Sequence, residues 1–428
     1  PWDGAWYVSE VLDILTQNPE VWKKTIFILT YDENDGYFDH VPPFVAPHPH
    51  KPGTGKASPG IDTGPEFVTL SQENERKGFP SGYHRESSIG LGYRVPLVIA
   101  SPWSRGGFVN SEVFDHTSSI QFLETFLNKK TGKQVKETNI SGWRRTICGD
   151  LTSVFRPWRQ EKIATPEFLS RNDVLVGIKR AEFKRLPTDY KLLSPQAIEA
   201  IKKDRYHSPD MPEQETGIRP SCALPYELYA DGTLDADRKY FNIRFRAGKE
   251  VFGEEACGSP FSVYAPGKYR STGRPDTFEM VRTWAYGVKA GDQLEDQWPL
   301  DDFENSRYHL RVYGPNGFFR EFRGAATDPL LEASCEYDPV PGTAKHFSGN
   351  ISLVIKNMDD RAYTLEITDN AYKAPPVIKT VQKKGDTGDR VVISQDLSRN
   401  HGWYDFSLKI QGSGAFEKRW AGRVETGH

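Results

Sequence analysis

The chain has 428 residues and a formal net charge of −3; 37% of its residues are hydrophobic, 12% aromatic and 26% charged. That length and composition describe two or three globular domains, and the near-neutral charge excludes a general nucleic-acid binder. No apolar stretch approaches the ~20 residues of a membrane-spanning helix, and Cys148, Cys222, Cys257 and Cys335 form no CxxC pair, which excludes a zinc or dithiol motif.

Taken in chain order, Ala5 to Gln17 places Tyr7, Val11, Leu12 and Leu15 at helical spacing, widened by Trp6, Val8 and Ile14. Asn18-Pro19 ends that pattern. Thr25 to Thr30 reads as a short strand whose consecutive apolar residues predict cover on both faces. Arg94 to Ala100 predicts a second such strand, although Pro96 favours its start or an edge. A helix from Ser119 to Leu127 follows, with Ile120, Leu123, Phe126 and Leu127 as its buried stripe and Ser118 with Gln121 as a capping box. Helix, strand, polar loop, strand, loop and helix predict an α/β domain with a mainly parallel sheet.

Residues 150 to about 220 are mixed, with a helix around Pro195 to Lys203 and a polar linker from Ser208 to Pro220. Beyond them the pattern changes to short alternating strands such as FNIRFRA, YHLRVYG, NISLVIKN and WYDFSLKI, separated by turn residues. That is the pattern of a β-sandwich. It repeats: Phe318 with Phe416, Phe322 with Trp420 and Gly324 with Gly422 each differ by 98. Two related β modules are expected.

The chemistry gathers in TYDENDGYFDHVPP, where the first strand ends in Asp32, Glu33, Asn34 and Asp35, with Asp39 and His40 just beyond. Two readings stand. The first is a solvated turn, since Asn34, Asp35 and Gly36 are turn residues. The second is a metal centre at the strand exit, where a shared cation relieves the repulsion between neighbouring carboxylates. An EF-hand is excluded, because with Gly36 at the sixth position Tyr31 and Pro42 fall where carboxylates are required.

TYDENDGYFDHVPPF and GYRVPLVIASPWSRGGFVNSEVFDHTSSIQFLETF closely resemble the bacterial phosphocholine-specific phospholipase C family. So do CGDLTSVF, RPSCALPYEL and the two repeats ending in GPNGFFREFRG and HGWYDF…WAGRVETG. That phosphoesterase family has an alkaline-phosphatase-like α/β core. The resemblance implies the C-terminal part of such a sheet domain (1–160), a helical or irregular linker (161–222), and two all-β sandwich-like modules (223–326 and 327–428). It also implies one divalent metal ion, a phospholipid substrate at a membrane surface, and export.

By the same resemblance Asp32 and Glu33 are metal ligands, and His40 and Asn34 support catalysis. Asp39, Arg105, Trp103, Tyr37 and His116 are candidate substrate contacts. Phe38 joins Tyr37 and Trp103 as an aromatic candidate for choline. Asp115 stands before a helix start and serves equally as a cap or a site residue. Arg94 begins a strand, the wrong end of a parallel strand for catalysis, and is expected to form a structural pair; Arg105 follows the strand exit. His309 and His401 are read as structural or exposed. The family's Glu-Asn metal pair and Ser/Thr nucleophile match no position here, and Thr30 does not fit the nucleophile motif. With Pro1-Trp2-Asp3 at its start, the chain reads as the C-terminal portion of a longer enzyme, inactive alone, with apolar surface exposed where strands are missing. Two other readings stay open: an acid phosphatase, and a non-catalytic binding module.

Overall fold

The structure is a computed structural model that describes every residue except 1, 38, 79, 161, 164–166, 168–169, 187, 189, 206, 214–216, 343–345 and 428. Its contacts define two compact bodies. One comprises Pro1–Ser104, Asn110–Arg156 and Cys222–His428; the other comprises Arg105–Val109 and Pro157–Ser221.

The larger body begins with helices α1 (Trp2–Thr16) and α2 (Pro19–Trp22), the latter capped by the Asn18 side chain. Strands β1 (Phe27–Thr30), β2 (Gly55–Ala57), β3 (Phe67–Val68), β4 (Ser87–Ser88) and β5 (Leu97–Ala100) follow, with helix α3 (Leu70–Glu75) between β3 and β4. Helices α4 (His116–Thr131) and α5 (Gly142–Ile147) close this stretch. The smaller body holds α6 (Arg171–Ala181) and α7 (Pro195–Lys203), the latter where the sequence places it.

The two N-terminal strands pair antiparallel, Phe27 opposite Ala100 and Thr30 opposite Leu97. This corrects the expectation of a parallel sheet. Strand grammar alone does not give direction; the long excursion between β1 and β5 reverses the chain. The cover predicted on both faces is also absent: β1 is half-buried, and Leu97 and Val98 are exposed. In α4, Ile120, Leu123, Phe126 and Leu127 are exposed, while Ser118 and Gln121 are buried instead. The helix starts earlier than predicted, with Asp115 as N-cap and Ser118 completing its capping box.

The β region contains β6 (Leu228–Leu234), β7 (Tyr240–Ala247), β8 (Ser259–Ala265), the hairpin β9 (Tyr269–Ser271) and β10 (Arg274–Glu279), β11 (Arg282–Val288), β12 (Asp292–Pro299), β13 (Arg307–Tyr313) and β14 (Phe319–Ala325). It continues with β15 (Leu331–Pro339), β16 (Phe347–Asn357), β17 (Tyr363–Asp369), β18 (Val377–Val381), β19 (Arg390–Gln395), β20 (Trp403–Ile410) and β21 (Glu417–Arg423). A nine-stranded sheet runs β18-β17-β20-β21-β14-β13-β8-β11-β2, and two three-stranded sheets, β12-β7-β6 and β15-β16-β19, accompany it. Each half of the large sheet therefore goes with one small sheet, and the halves meet where β14 pairs antiparallel with β21. Aromatic stacking of Phe241 on Tyr308 and of Phe245 on Tyr286 joins the sheets of the first half. Residues from Leu331 to Val424 build the core of the second.

At the junction the repeat becomes physical. Arg320 lies opposite Trp420, and Phe322 opposite Lys418, so each buried cation faces the other half's aromatic residue. The Arg320 guanidinium stacks 4.0 Å from the Phe318 ring and donates to the carbonyls of Phe319 and Ala421. Lys418 Nζ donates to the carbonyls of Gly232 and Leu331 at 2.7 and 3.0 Å. These backbone acceptors replace the water that burial removes.

One unforeseen element joins the N-terminal part to this sheet. Strand β2 pairs parallel with the edge strand β11, Gly55 opposite Ala285. Ala285 N–H donates to the Thr54 carbonyl at 3.0 Å, and Ser58 N–H to that of Gly287 at 2.9 Å. Lys56 ties to Asp296 at 3.1 Å. Gly55 has φ +119°, and a Cβ there would lie 1.7 Å from the Ala285 oxygen. Only glycine permits this approach.

Two outcomes follow. Gly55→Ala is expected to lower the unfolding free energy by about 2–4 kcal/mol through loss of β2 pairing, read by thermal melts. Burial holds Lys418 down at about 8, opposed by Asp231, Glu332 and Asp328. The unfolded chain keeps its proton to about 10.4, so folding stability rises with pH between those values. Lys418→Met is expected to flatten that rise in denaturant titrations.

Candidate active site at the exit of the first strand

The loop after β1 is shaped by a turn. Asp35 and Gly36 adopt φ of 56° and 75°, Tyr37 N–H donates to the Asn34 carbonyl, and Asn34 Nδ2 donates to the Tyr37 carbonyl. Asn34 is thereby committed to the turn. Asp32, Glu33 and Tyr37 point to solvent, and Phe38 lies outside the described residues. The turn and the carboxylate pair coexist: the turn uses Asn34 to Tyr37 and leaves Asp32 and Glu33 at the mouth of the strand.

Asp39 is held by its neighbours. Arg94 donates Nε to Oδ2 at 2.5 Å and Nη2 to Oδ1 at 2.8 Å, and Val41 N–H donates to Oδ1 at 3.1 Å. The Arg94 guanidinium holds the Asp39 carboxyl well below the usual carboxylate range, and the pairing in turn raises Arg94. His40 Nδ1 stands 3.3 Å from Asp39 and its ring is exposed. Arg94 forms the predicted pair, but its position needs correction. Because β1 and β5 run antiparallel, the start of β5 and the exit of β1 share one end of the strand pair. Arg94 thus belongs to the acidic loop's end.

The same register moves Trp103 away. Ala100 lies opposite Phe27, so Trp103 follows β5 out at the end remote from Asp32, where its carbonyl accepts from Arg156 N–H. Arg105 belongs to the smaller body; its Nη2 donates to the Arg159 carbonyl and its guanidinium stacks 3.8 Å from the Trp158 ring.

His116 reaches the loop. Its Nε2 is 2.9 Å from the Tyr31 carbonyl, which only accepts, so Nε2 carries the proton. The first residue of α4 is thereby tied to the residue before Asp32. Asp115 serves as the cap: Oδ1 accepts from Thr117 N–H at 2.9 Å and Thr117 Oγ1 at 2.6 Å, and its N–H donates to Ser118 Oγ. Its second oxygen accepts from Arg144 Nη1. Arg144 also donates Nε and Nη2 to Glu66, each at 2.9 Å, and Nη2 to the Gly90 carbonyl. Ser141 Oγ donates to Glu66 at 2.5 Å. Burial works against the Arg144 charge, and the two carboxylates outweigh it and raise the group. Glu66 and Arg144 carried no local signal, since they meet across 78 residues.

Carboxylate oxygens suit a hard divalent cation. Among the described residues, however, no three His, Cys, Asp or Glu side chains converge to hold one. Asp32 and Glu33 stand exposed at the strand exit and belong to no such group. The cysteines are free thiols, with Cys148, Cys222 and Cys335 buried.

The phosphoesterase family model matches residues 1–128, which contain both the acidic loop and Asp115-His116. The model of the bacterial phospholipase C C-terminal domain matches twice, over 220–325 and 331–423. The chain belongs to the bacterial phospholipase C family. It is 35% identical over 431 residues to a non-hemolytic phospholipase C of Burkholderia pseudomallei, covering 99% of this chain and 52% of that protein. A non-hemolytic phospholipase C of Pseudomonas aeruginosa is 36% identical over 99% of this chain and 54% of its own length. The hemolytic phospholipase C of the same organism is 35% identical, again over 99% of this chain and 53% of its own length. The chain thus spans about half the length of these phospholipases.

Arg144→Met is expected to cost about 3–5 kcal/mol, because it strands the Glu66 and Asp115 carboxylates in the interior. Chemical denaturation measures the loss. Substituting Glu66→Gln in the same background should recover part of it.

Proposed function

We propose that this chain carries part of the active site of a phospholipase C that cleaves the phosphodiester of phosphatidylcholine, and of sphingomyelin as a related substrate, releasing phosphocholine. The observation that supports it is the tie between His116 and the Tyr31 carbonyl, which brings the two phosphoesterase motifs together beside Asp32 and Glu33. The relatives aligned over 99% of the chain carry the name phospholipase C. In this reading the nucleophile is a Ser or Thr, and export accompanies the family resemblance. No helix among the described residues is long and apolar enough to cross a membrane.

In this reading Asp32 and Glu33 are two ligands of a divalent cation, which when bound supplies positive charge to a phosphoryl oxygen. The chain's own groups do the rest. Arg94, fixed by Asp39, offers its remaining N–H groups to the substrate's anionic oxygens; a guanidinium already oriented by a carboxylate loses little freedom on binding. His116 holds the β1 exit against the α4 N-terminus, and its proton is committed to Tyr31. Tyr37 is the aromatic group placed to meet choline's quaternary ammonium. His40 is exposed beside Asp39 and contacts the phosphate.

Asp32→Asn and Glu33→Gln are each expected to weaken calorimetric binding of a divalent ion and to lower phosphocholine release about 10²–10³-fold in the active protein. Unchanged ion affinity in both variants removes them as ligands. Arg94→Ala is expected to raise KM for phosphatidylcholine about tenfold or more with a smaller change in kcat, and Asp39→Asn to give part of that effect. Comparing phosphatidylcholine with a simple phosphomonoester separates the phospholipase from an acid phosphatase.

A further inference from the structure

The outward face of the nine-stranded sheet carries two kinds of side chain in an unusual order. Tyr308, Leu310 and Val312 of β13 face the core, so Arg307, His309, Arg311 and Tyr313 face out. Neighbouring strands continue the face: Tyr264 of β8 is opposite Arg311, Phe319 of β14 is opposite Tyr313, and Ala421 of β21 is opposite Phe319. On the far side Trp403 of β20 lies opposite Arg423. The rings of Tyr264 and Tyr313 meet edge-on at 5.4 Å, and those of Tyr313 and Phe319 at 5.1 Å. Trp403 sits against the β13–β14 turn, where a Cβ on Gly317 would come within 2.8 Å of its ring. Tyr313 and Trp403 remain 40% and 38% exposed.

The charges on this face are layered. Glu321 accepts from His309, Arg311 and Arg323, each at 2.7 Å, and Asp405 from Arg419 at 2.6 Å. Lys409 and Arg323 approach Glu417 at 3.9 and 4.0 Å. Glu321, Asp405 and Glu417 are only 3%, 18% and 20% exposed, whereas Arg311, Arg323, Arg419 and Lys409 are 34%, 40%, 34% and 55% exposed. The acids lie beneath and the cations above. Cations outnumber carboxylates on this face, and the burial of the acids makes it more cationic still as solvent meets it.

We propose that this face docks the protein on an anionic phospholipid bilayer, with the Tyr264–Tyr313–Phe319–Trp403 rings at the headgroup level and the arginines and Lys409 against lipid phosphates. Aromatic rings and cations together suit a bilayer interface, where Tyr and Trp place an apolar body inward and a polar edge in water and Phe319 adds apolar area. A soluble polyanion uses the cations and leaves the rings without work. A second copy is disfavoured, because two such faces repel. The chain's overall charge of −3 gives no general attraction to anionic lipid, so binding must come from a local patch. Such docking needs no turnover, so it stands or falls apart from the catalytic reading.

The test is sedimentation of the full chain with vesicles of mixed phosphatidylglycerol and phosphatidylcholine, beside vesicles of phosphatidylcholine alone. Binding is expected on the anionic vesicles and lost as salt shortens the Debye length from about 10 Å to about 3 Å. Lys409→Gln and Arg323→Gln should each weaken it about fivefold, and Tyr313→Ala and Trp403→Ala roughly tenfold. Arg244→Gln, on the outer face of the opposite sheet in the first half, should change nothing, and melting curves should show every variant folded. The idea is overturned if folded face variants bind like the parent. Binding to zwitterionic vesicles alone, capture by heparin without vesicle binding, or a dimer in solution abolished by Trp403→Ala would each overturn it too.

Discussion

The buried ion network of Glu66, Arg144 and Asp115 is the constraint on which the candidate site depends. Asp115 caps α4, and His116, the first residue of that helix, holds the backbone just before Asp32. Arg144 fixes the cap and draws Glu66, from the excursion between β1 and β5, into the same cluster. Its neighbour Trp143 is fully buried, with its indole against Gly287 of β11. One short helix therefore holds the α4 cap on one side and the β region on the other. A buried charge cluster of this kind contributes more to geometry than to net stability, because desolvation cancels much of the attraction while removal of one partner is costly.

The β region makes the same point at larger scale. Two halves of like topology meet at an antiparallel pair, and the repeat of 98 residues places Arg320 and Lys418 at corresponding positions. Each buries a cation beneath an aromatic residue of its own turn, Phe318 or Phe416, at 4.0 and 5.9 Å. Continuity of the sheet across the junction produces a broad outer face that neither half presents alone. Strand β2 then extends that sheet from the opposite edge, covering β11 with chain from the N-terminal part.

The exposed apolar surface of β5 and α4 stands in contrast to these well-buried halves. Leu97 and Val98 of β5 and Leu123 and Phe126 of α4 face solvent. Asp32 and Glu33 likewise stand exposed, and no group of three or more His, Cys, Asp or Glu forms around them among the described residues.

What the sequence determined by itself was local. The strand-plus-turn at Asp32, the helix at Pro195, the alternating strands and the 98-residue repeat all rest on periodicity and turn chemistry, which act over a few residues. Strand direction was decided only by the tertiary structure, and with it the placement of Arg94 beside the acidic loop and of Trp103 away from it. So was the burial of α4, whose apolar stripe predicts a partner but cannot say whether one is present. The Glu66–Arg144 contact and the β2–β11 pairing were invisible for the same reason: each joins residues with no local pattern, through register and charge that exist only once the chain has come together.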